Sequence, residues 1–138
     1  MNYFNKNSLD YKFIEKFEAG LVLTGSDAKS LRTQGIQFGA VKVEIINNRP
    51  FLINLDIPLY KFTSKNTLYD TTRNRALLLN YKQIAKLISY RKQKYMIIPI
   101  SIYIKNNFFK AEIGIGRKMR KYEKRQKIKD KEMKKKLG

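Results

Sequence analysis

The chain has no cysteine, no histidine and no tryptophan among its 138 residues. The first two absences remove thiolate and imidazole metal sites, Cys- or Ser-His nucleophilic machinery and any disulfide scaffold, and they leave the redox compartment undetermined. Acid is scarce as well. Eleven Asp and Glu stand against thirty Lys and Arg, a formal net charge of +19. Long apolar runs are missing: the longest, Tyr95 to Ile104, is ten residues interrupted by Pro99 and Ser101, well short of the ~20 that a membrane-crossing helix needs. Met1 to Asp10 is polar and lacks the apolar segment of a secretory signal, which points to a cytoplasmic protein.

What is present suffices for one folded domain. The length falls within the ~100 to 200 residues of a single domain, and 43% hydrophobic with 12% aromatic residues can build a core. A charge of this size exceeds what solubility needs and implies a polyanionic partner, nucleic acid first and an anionic membrane surface second. The charge is unevenly spread. Residues 117–138 hold twelve basic and three acidic residues, net +9, with only Ile128, Leu137, Met119, Tyr122 and Met133 as apolar side chains. That segment cannot form a core of its own. Composition therefore divides the chain into a body, residues 1–116, and a basic tail, residues 117–138.

Strand patterns dominate the body. Tyr11, Phe13 and Phe17 share one parity, and Leu21 to Leu23 is a short apolar run. Thr24 has the position of an N-cap with Asp27 three residues on, Lys29 and Arg32 suit the C-terminal end and Gly35 stops the segment, which predicts a helix of about two turns. Val41, Val43 and Ile45, then Asn47-Asn48, then Phe51, Ile53 and Leu55 read as a hairpin. Asp56 to Arg75 has no clean period and reads as a long loop. Leu77, Tyr81, Ile84 and Ile88, with Asn80 as N-cap and Gln83 at N3, predict a second helix over about 81–92. Tyr95 to Ile104 and Phe108 to Ile115, joined by Lys105-Asn106-Asn107, form a second hairpin. The expected class is mainly β: five or six antiparallel strands in a small barrel that closes to remove its edges, best fitted by a partly open Greek-key barrel of the oligonucleotide-binding (OB) type, with two short helices and a basic C-terminal tail.

The residues offer little to a catalyst. Glu15 and Glu18 are the only E-x-x-E pair, and odd spacing on a strand turns them to opposite faces. Asp130 and Glu132 sit among lysines, and neither a Walker loop nor a G-x-G-x-x-G fingerprint is present. The expectation is a non-enzymatic protein without cofactor or metal. Arg73 and Arg75, preceded by Thr71 and Thr72, form a phosphate-binding cluster or an ordinary solvated surface. Tyr60, Phe62 and Tyr69, which no periodicity buries, are candidate stacking rings; Tyr11, Phe13, Phe17, Phe51, Tyr95, Tyr103, Phe108 and Phe109 read as core. The tail is either a solvated extension or an RNA-tracking arm, disordered alone and helical on phosphate, with Met119, Tyr122, Gln126, Lys129 and Met133 on one side. A polybasic membrane segment would bring bulky apolar anchors or a lipidation site, which the tail lacks.

Four ordered segments carry a family resemblance: EAGLVLTGSDAKSLR from Glu18 to Arg32, RNRALLLN from Arg73 to Asn80, IIPISIYIKNNFFKAEIGIG, and the closing YEKR. Together they resemble the SmpB family of SsrA-binding proteins, from Asp10 to Arg125 without large gaps. The resemblance implies an OB-type body that grips the elbow and D-loop region of the tRNA-like domain of transfer-messenger RNA (tmRNA). It also implies delivery of that RNA to stalled ribosomes with the indirect help of an elongation-factor-type GTPase. The tail would lie in the empty messenger channel, next to the decoding centre, as a helix. A monomer is expected, and a structural ribosomal or ribosome-assembly protein is the alternative.

The resemblance also assigns residues. Glu18 matches the acid of the family's EAG motif and Leu78 the middle leucine of RKLLL, both linked to RNA binding. Lys29, Ser30 and Arg32 stand at KSLR, and Gly20 and Gly25 keep the family's glycines. The family's N-terminal Asn aligns with Phe4 without a gap and with Asn5 after a one-residue slip. Tyr122, Lys124 and Arg125, with Glu123, replace His/Tyr-Asp-Lys-Arg, and Arg117, Lys118, Arg120 and Lys121 supply the surrounding charge. Departures are Asp27 in place of Glu, Ala76 in place of the lysine of RKLLL, Leu9-Asp10-Tyr11 in place of His-Asp-Tyr, a tail somewhat short for the family, and Lys118-Met119-Arg120 in place of GKK. Gly116 is expected to take over as the residue that turns the chain out of the body.

Overall fold

Two Asn-Asn dipeptides reverse the chain at the tips of its hairpins. Asn47 and Asn48 have φ of 51° and 61°, Asn106 and Asn107 of 53° and 65°; two successive left-handed residues are what a two-residue hairpin turn demands, and Asn tolerates that region. The computed structural model describes residues 2–62 and 70–137, so Tyr69 lies outside the described residues. Along the chain run β1 (Asn2–Phe4), a 3-10 turn (Lys6–Asp10), β2 (Tyr11–Leu21), α1 (Gly25–Thr33), β3 (Lys42–Ile46) and β4 (Arg49–Ile53). They are followed by β5 (Arg75–Leu78), α2 (Tyr81–Lys92), β6 (Met96–Lys105), β7 (Phe108–Lys118) and α3 (Lys121–Leu137).

Among the described residues all strand pairings are antiparallel and join seven strands in the order β1-β6-β7-β2-β5-β4-β3. Among the described residues the hydrogen-bonded ladder ends at β1 and β3 and does not close. The count rises from five or six strands to seven because β1 adds to the edge of β6 and β5 inserts between β2 and β4. Two bulges curve the sheet, between Phe13 and Glu15 on β2 and between Pro99 and Ser101 on β6.

Local signals set both helix starts. The Thr24 hydroxyl accepts the Asp27 N–H at 3.1 Å. Asn80 and Gln83 exchange side-chain and backbone bonds in a capping box. α2 spans the predicted residues, yet its predicted stripe is corrected: Leu77 belongs to β5, Tyr81 is 87% exposed, and Leu87 is the residue α2 buries fully. β4 also corrects its reading. Leu52 points inward while Phe51 and Ile53 stay half-buried, and Asn54, at φ 64°, resets the side so that Leu55 is buried as well.

The core gathers Leu31 of α1, Val43, Leu52, Leu55, Ile57, Leu87 and the inward residues of β2, β6 and β7, including Ala19, Ile102, Ile113 and Ile115. Each fully buried aliphatic contributes about 1.5–3 kcal/mol. α2 is further tied to β2 through Glu15, which accepts from the Tyr90 hydroxyl at 2.6 Å and from Lys86 Nζ at 3.1 Å. These two bonds, Tyr90 first, hold the Glu15 carboxyl below its usual range.

Candidate nucleic-acid interface

One row of side chains crosses four strands on the outer face of the sheet. Gly20 of β2 lies opposite Leu78 of β5 and Lys110 of β7, and Lys110 lies opposite Tyr103 of β6; directly opposed residues share a face. Leu78 is 63% exposed. A Cβ on Gly20 would stand 3.1 Å from the Leu78 Cβ, so glycine leaves this leucine its place above the strand. Glu18, two residues along β2, is on the same face and accepts a short hydrogen bond from the Tyr103 hydroxyl, with Lys105 Nζ at 3.4 Å. The Tyr103 hydroxyl, with Lys105 and Lys110 beside it, keeps the Glu18 carboxyl below the ordinary carboxylate range. Phe108, exposed beside Lys110, completes the patch.

Such a patch suits RNA. Lysines meet phosphates, exposed Leu78 and Phe108 meet bases or ribose, and a fixed carboxylate accepts hydrogen bonds from base amino groups or 2′-hydroxyls.

α1 supplies a second group of cations, each laid over a ring. Lys29 Nζ sits 5.5 Å from the centre of Tyr60, and the Arg32 guanidinium 5.5 Å from that of Phe109. Tyr60 in turn meets Phe62 edge to face at 5.4 Å, and Phe62 is 74% exposed. Gly25, the first residue of α1, has open space around it.

The start of the tail is fastened to the body. β7 runs to Lys118, and Arg117 donates two bonds to Glu123 at 2.9 and 2.7 Å. The Arg120 N–H adds a third at 3.2 Å. Arg117 first and Arg120 second bring the Glu123 carboxyl down to about 2. Lys124 Nζ lies 3.1 Å from the Asp10 carboxylate, and the Met119 N–H donates to the Asp10 carbonyl at 2.8 Å. Gly116 is not the turning point. A Cβ there would lie 2.1 Å from the Lys12 carbonyl oxygen, so this glycine permits close strand contact at the β2 bulge, and the chain leaves the sheet at Met119 and Arg120 instead.

The sequence model of the SmpB protein matches residues 3–138. The chain belongs to the SmpB family. It is 41% identical over 138 residues to the SsrA-binding protein of Lactobacillus johnsonii, covering 96% of this chain and 91% of the relative. It is 42% identical over 129 residues to that of Sulfurihydrogenibium sp., covering 93% and 84%. A solved structure described as "tmRNA-SmpB: a journey to the center of the bacterial ribosome" superposes with a TM-score of 0.71 at 28% identity, covering 87% of this chain and 85% of that one.

Within this SmpB-family chain the sequence-predicted residues separate into two sets. Glu18, Gly20 and Leu78 come together on the outer face, with Gly25, Lys29 and Arg32 on α1. Asn5, Asp27, Ser30 and Arg75 face inward, at 2%, 0%, 0% and 1% exposure, which corrects their reading as surface contacts. Asn5 donates from Nδ2 to the Pro99 carbonyl at 2.9 Å, and its N–H reaches the Ile100 carbonyl at 2.8 Å, pinning the β6 bulge. Arg75 spends all its donors internally, on Asp27, Leu55, Arg73 and Thr71. Arg73 is half-buried and also bonds Asp27, so the proposed phosphate cluster is a buried brace with Arg73 at its rim. Among the tail residues, Lys124 pairs with Asp10 of the body and Arg117 with Glu123 of the tail, while Lys118, Arg120, Lys121, Tyr122 and Arg125 are exposed.

Sequence reasoning missed Tyr103, Lys105, Phe108 and Lys110 as members of the patch and read Tyr103 and Phe108 as core. The available signal was their placement around the Asn106-Asn107 turn. Across a two-residue turn, Lys105 opposes Phe108 and Tyr103 opposes Lys110, so rings and lysines share one face, and a lysine-bearing face is a solvent face.

Proposed function

We propose that this chain binds the tRNA-like domain of tmRNA through the outer-face patch of Glu18, Gly20, Leu78 and Tyr103 with Lys29 and Arg32 of α1, and helps deliver that RNA to stalled ribosomes. The observation that carries the reading is the exposed Leu78 above Gly20 beside a carboxylate oriented by Tyr103. A general phosphate binder has no use for an acid at the centre of a +19 surface, whereas a reader of base or ribose donors does.

The finer architecture belongs to the same reading. The body, residues 1–116, is an OB-type barrel whose last side is made by β3 lying against β6 without ladder bonds, and residues 117–138 are a tail that enters the empty messenger channel and signals the absence of a codon. Arg125, Tyr122, Lys121, Arg120 and Lys118 meet the ribosome, joined by Lys124 and Arg117 after release from Asp10 and Glu123. The protein acts in the cytoplasm as a monomer and is carried in with an elongation-factor-type GTPase. It makes and breaks no bond itself. No described helix is long and apolar enough to cross a membrane.

A competition titration of the full chain at ~0.15 M salt, where phosphate contacts alone are weakened, tests recognition. The tRNA-like domain is expected to outcompete a hairpin RNA of equal length. Equal affinity for the two would refute it, and equal occupancy of all ribosomes, stalled or not, would favour a structural ribosomal protein.

A further inference from the structure

A second row of side chains runs beside the one through Gly20 on the outer face of the sheet. Glu18 of β2 lies opposite Glu112 of β7, Glu112 opposite Ser101 of β6, and Ser101 opposite Phe4 of β1. Two carboxylates directly opposed on neighbouring strands repel each other, and only one of them is compensated. Glu18 is held by Tyr103 and Lys105. Among the described residues no hydrogen bond or ion pair holds Glu112, and Lys110 leans over the Phe108 ring instead, 6.0 Å from its centre.

The third member of the row is set in place by a bulge. β6 carries an extra residue between Pro99, which faces Ile113, and Ser101, which faces Glu112. In a regular ladder Ile100 would stand opposite Glu112. Asn5 holds the bulge by bonding the carbonyls of Pro99 and Ile100, so a hydroxyl stands in the row in place of an isoleucine. Ser101 is only 9% exposed, and among the described residues nothing hydrogen-bonds its hydroxyl. A buried hydroxyl without a partner is costly, and a bound group that accepts from it removes that cost. Phe4, half-exposed, walls the end of the row.

We propose that this row reads the Watson–Crick edge of one unpaired guanine. Across three strands it presents a hydroxyl donor, a carboxylate acceptor and a second carboxylate acceptor. The edge of guanine presents O6, N1–H and the N2 amino group in the complementary order: acceptor, donor, donor. Ser101 donates to O6, Glu112 accepts from N1–H and one amino hydrogen, and Glu18, aimed by Tyr103, accepts the other. The remaining bases clash with this order. Adenine turns its N1 lone pair toward Glu112, cytosine does the same with N3, and uracil turns a carbonyl oxygen toward Glu18. A metal cation would be repelled by Lys105 and Lys110 beside the row, whereas neutral N–H donors are not. The inference rests on the outer-face patch as the RNA site and names the base that the patch selects.

The test uses the full chain at ~0.15 M salt and the tRNA-like domain, with its unpaired guanines replaced one at a time. Inosine lacks the amino group, whereas 7-deazaguanine keeps the whole Watson–Crick edge. At one position inosine is expected to weaken binding about ten-fold, as loss of a hydrogen bond to a charged group does, and 7-deazaguanine to leave it unchanged. Glu112→Gln should weaken the unmodified domain about ten-fold and the inosine form much less. The same variant should melt no lower than the parent, since it removes a like-charge pair. Ser101→Ala should weaken the guanine form but not one with 2-aminopurine at that position, which has no O6. Suppose instead that no position responds to inosine, or that Glu112→Gln weakens guanine and inosine forms equally, while the domain still outcompetes a hairpin of equal length. The guanine row is then wrong and the outer-face patch stands. Loss of that competition would refute the patch and the guanine row with it.

Discussion

Asp27 and Arg75 meet across 48 sequence positions with neither side chain open to solvent, Nε 3.1 Å from Oδ2 and Nη2 3.3 Å from Oδ1. The remaining guanidinium donors bond the carbonyls of Leu55 at 2.6 Å, Thr71 at 2.8 Å and Arg73 at 3.3 Å. A single buried residue thus ties α1 to β5 and to both ends of the long connection between β4 and β5. The Asp that departs from the family's Glu at position 27, in the first turn of α1, reaches Arg75 directly.

Removing one partner of such a pair leaves a buried charge without its counter-ion. Asp27→Ala should destabilise the fold by about 3–5 kcal/mol, read as a lower urea midpoint with an unchanged slope. The double change Asp27→Leu with Arg75→Met should cost less than either single change, since both charges leave together. A single-mutant loss below ~1 kcal/mol would show that water reaches the site.

The tail latch should respond to acid. The folded Glu123 carboxyl is depressed to about 2 from 4.5, so its contribution is fully present above the unfolded value and is lost as pH falls through the folded one. A carboxyl-carbon NMR titration should place the Glu123 midpoint near 2, and in Arg117→Ala it should move back toward 4.5. The first turn of α3 should stay docked from neutral pH to about 4.5 and release below it.

RNA recognition and ribosome engagement should separate by mutation. Glu18→Ala or Leu78→Ala is expected to weaken binding of the tRNA-like domain selectively, and Tyr103→Phe to do so more mildly while raising the Glu18 midpoint. Neutralising Lys124 and Arg125 should leave that binding nearly unchanged and abolish the ribosomal step. Equal losses in both assays from both sets would remove the division of labour.

Two glycines should differ sharply. Gly116→Ala places a Cβ 2.1 Å from a backbone oxygen, which the β2–β7 pair cannot relieve by rotating a side chain. The expected cost is at or above the ~1–3 kcal/mol of core overpacking. Gly25→Ala has open space and a helical position, and should be neutral or stabilising by up to ~1 kcal/mol. Thermal melts of the two variants give the comparison.

The sequence by itself determined whatever depends on a few neighbouring residues. Thr24 with Asp27, and Asn80 with Gln83, place the helix starts because a cap is satisfied within three positions. Asn47-Asn48 and Asn106-Asn107 place the hairpins because a left-handed pair is a local requirement. The charge contrast between body and tail, the opposite faces of Glu15 and Glu18, and the family segments were equally readable along the chain. Tertiary structure alone decided which side of β5 is inside. There an arginine is buried and a leucine is exposed, the reverse of what hydropathy suggests, because a carboxylate 48 positions away satisfies Arg75 while Gly20 makes room for Leu78 outside. It also decided that Asn5 and Ser30 are internal and that Tyr103 orients Glu18 from another strand. Each of these depends on what a residue meets from a distant part of the chain, and such contacts are not written in the spacing of either segment.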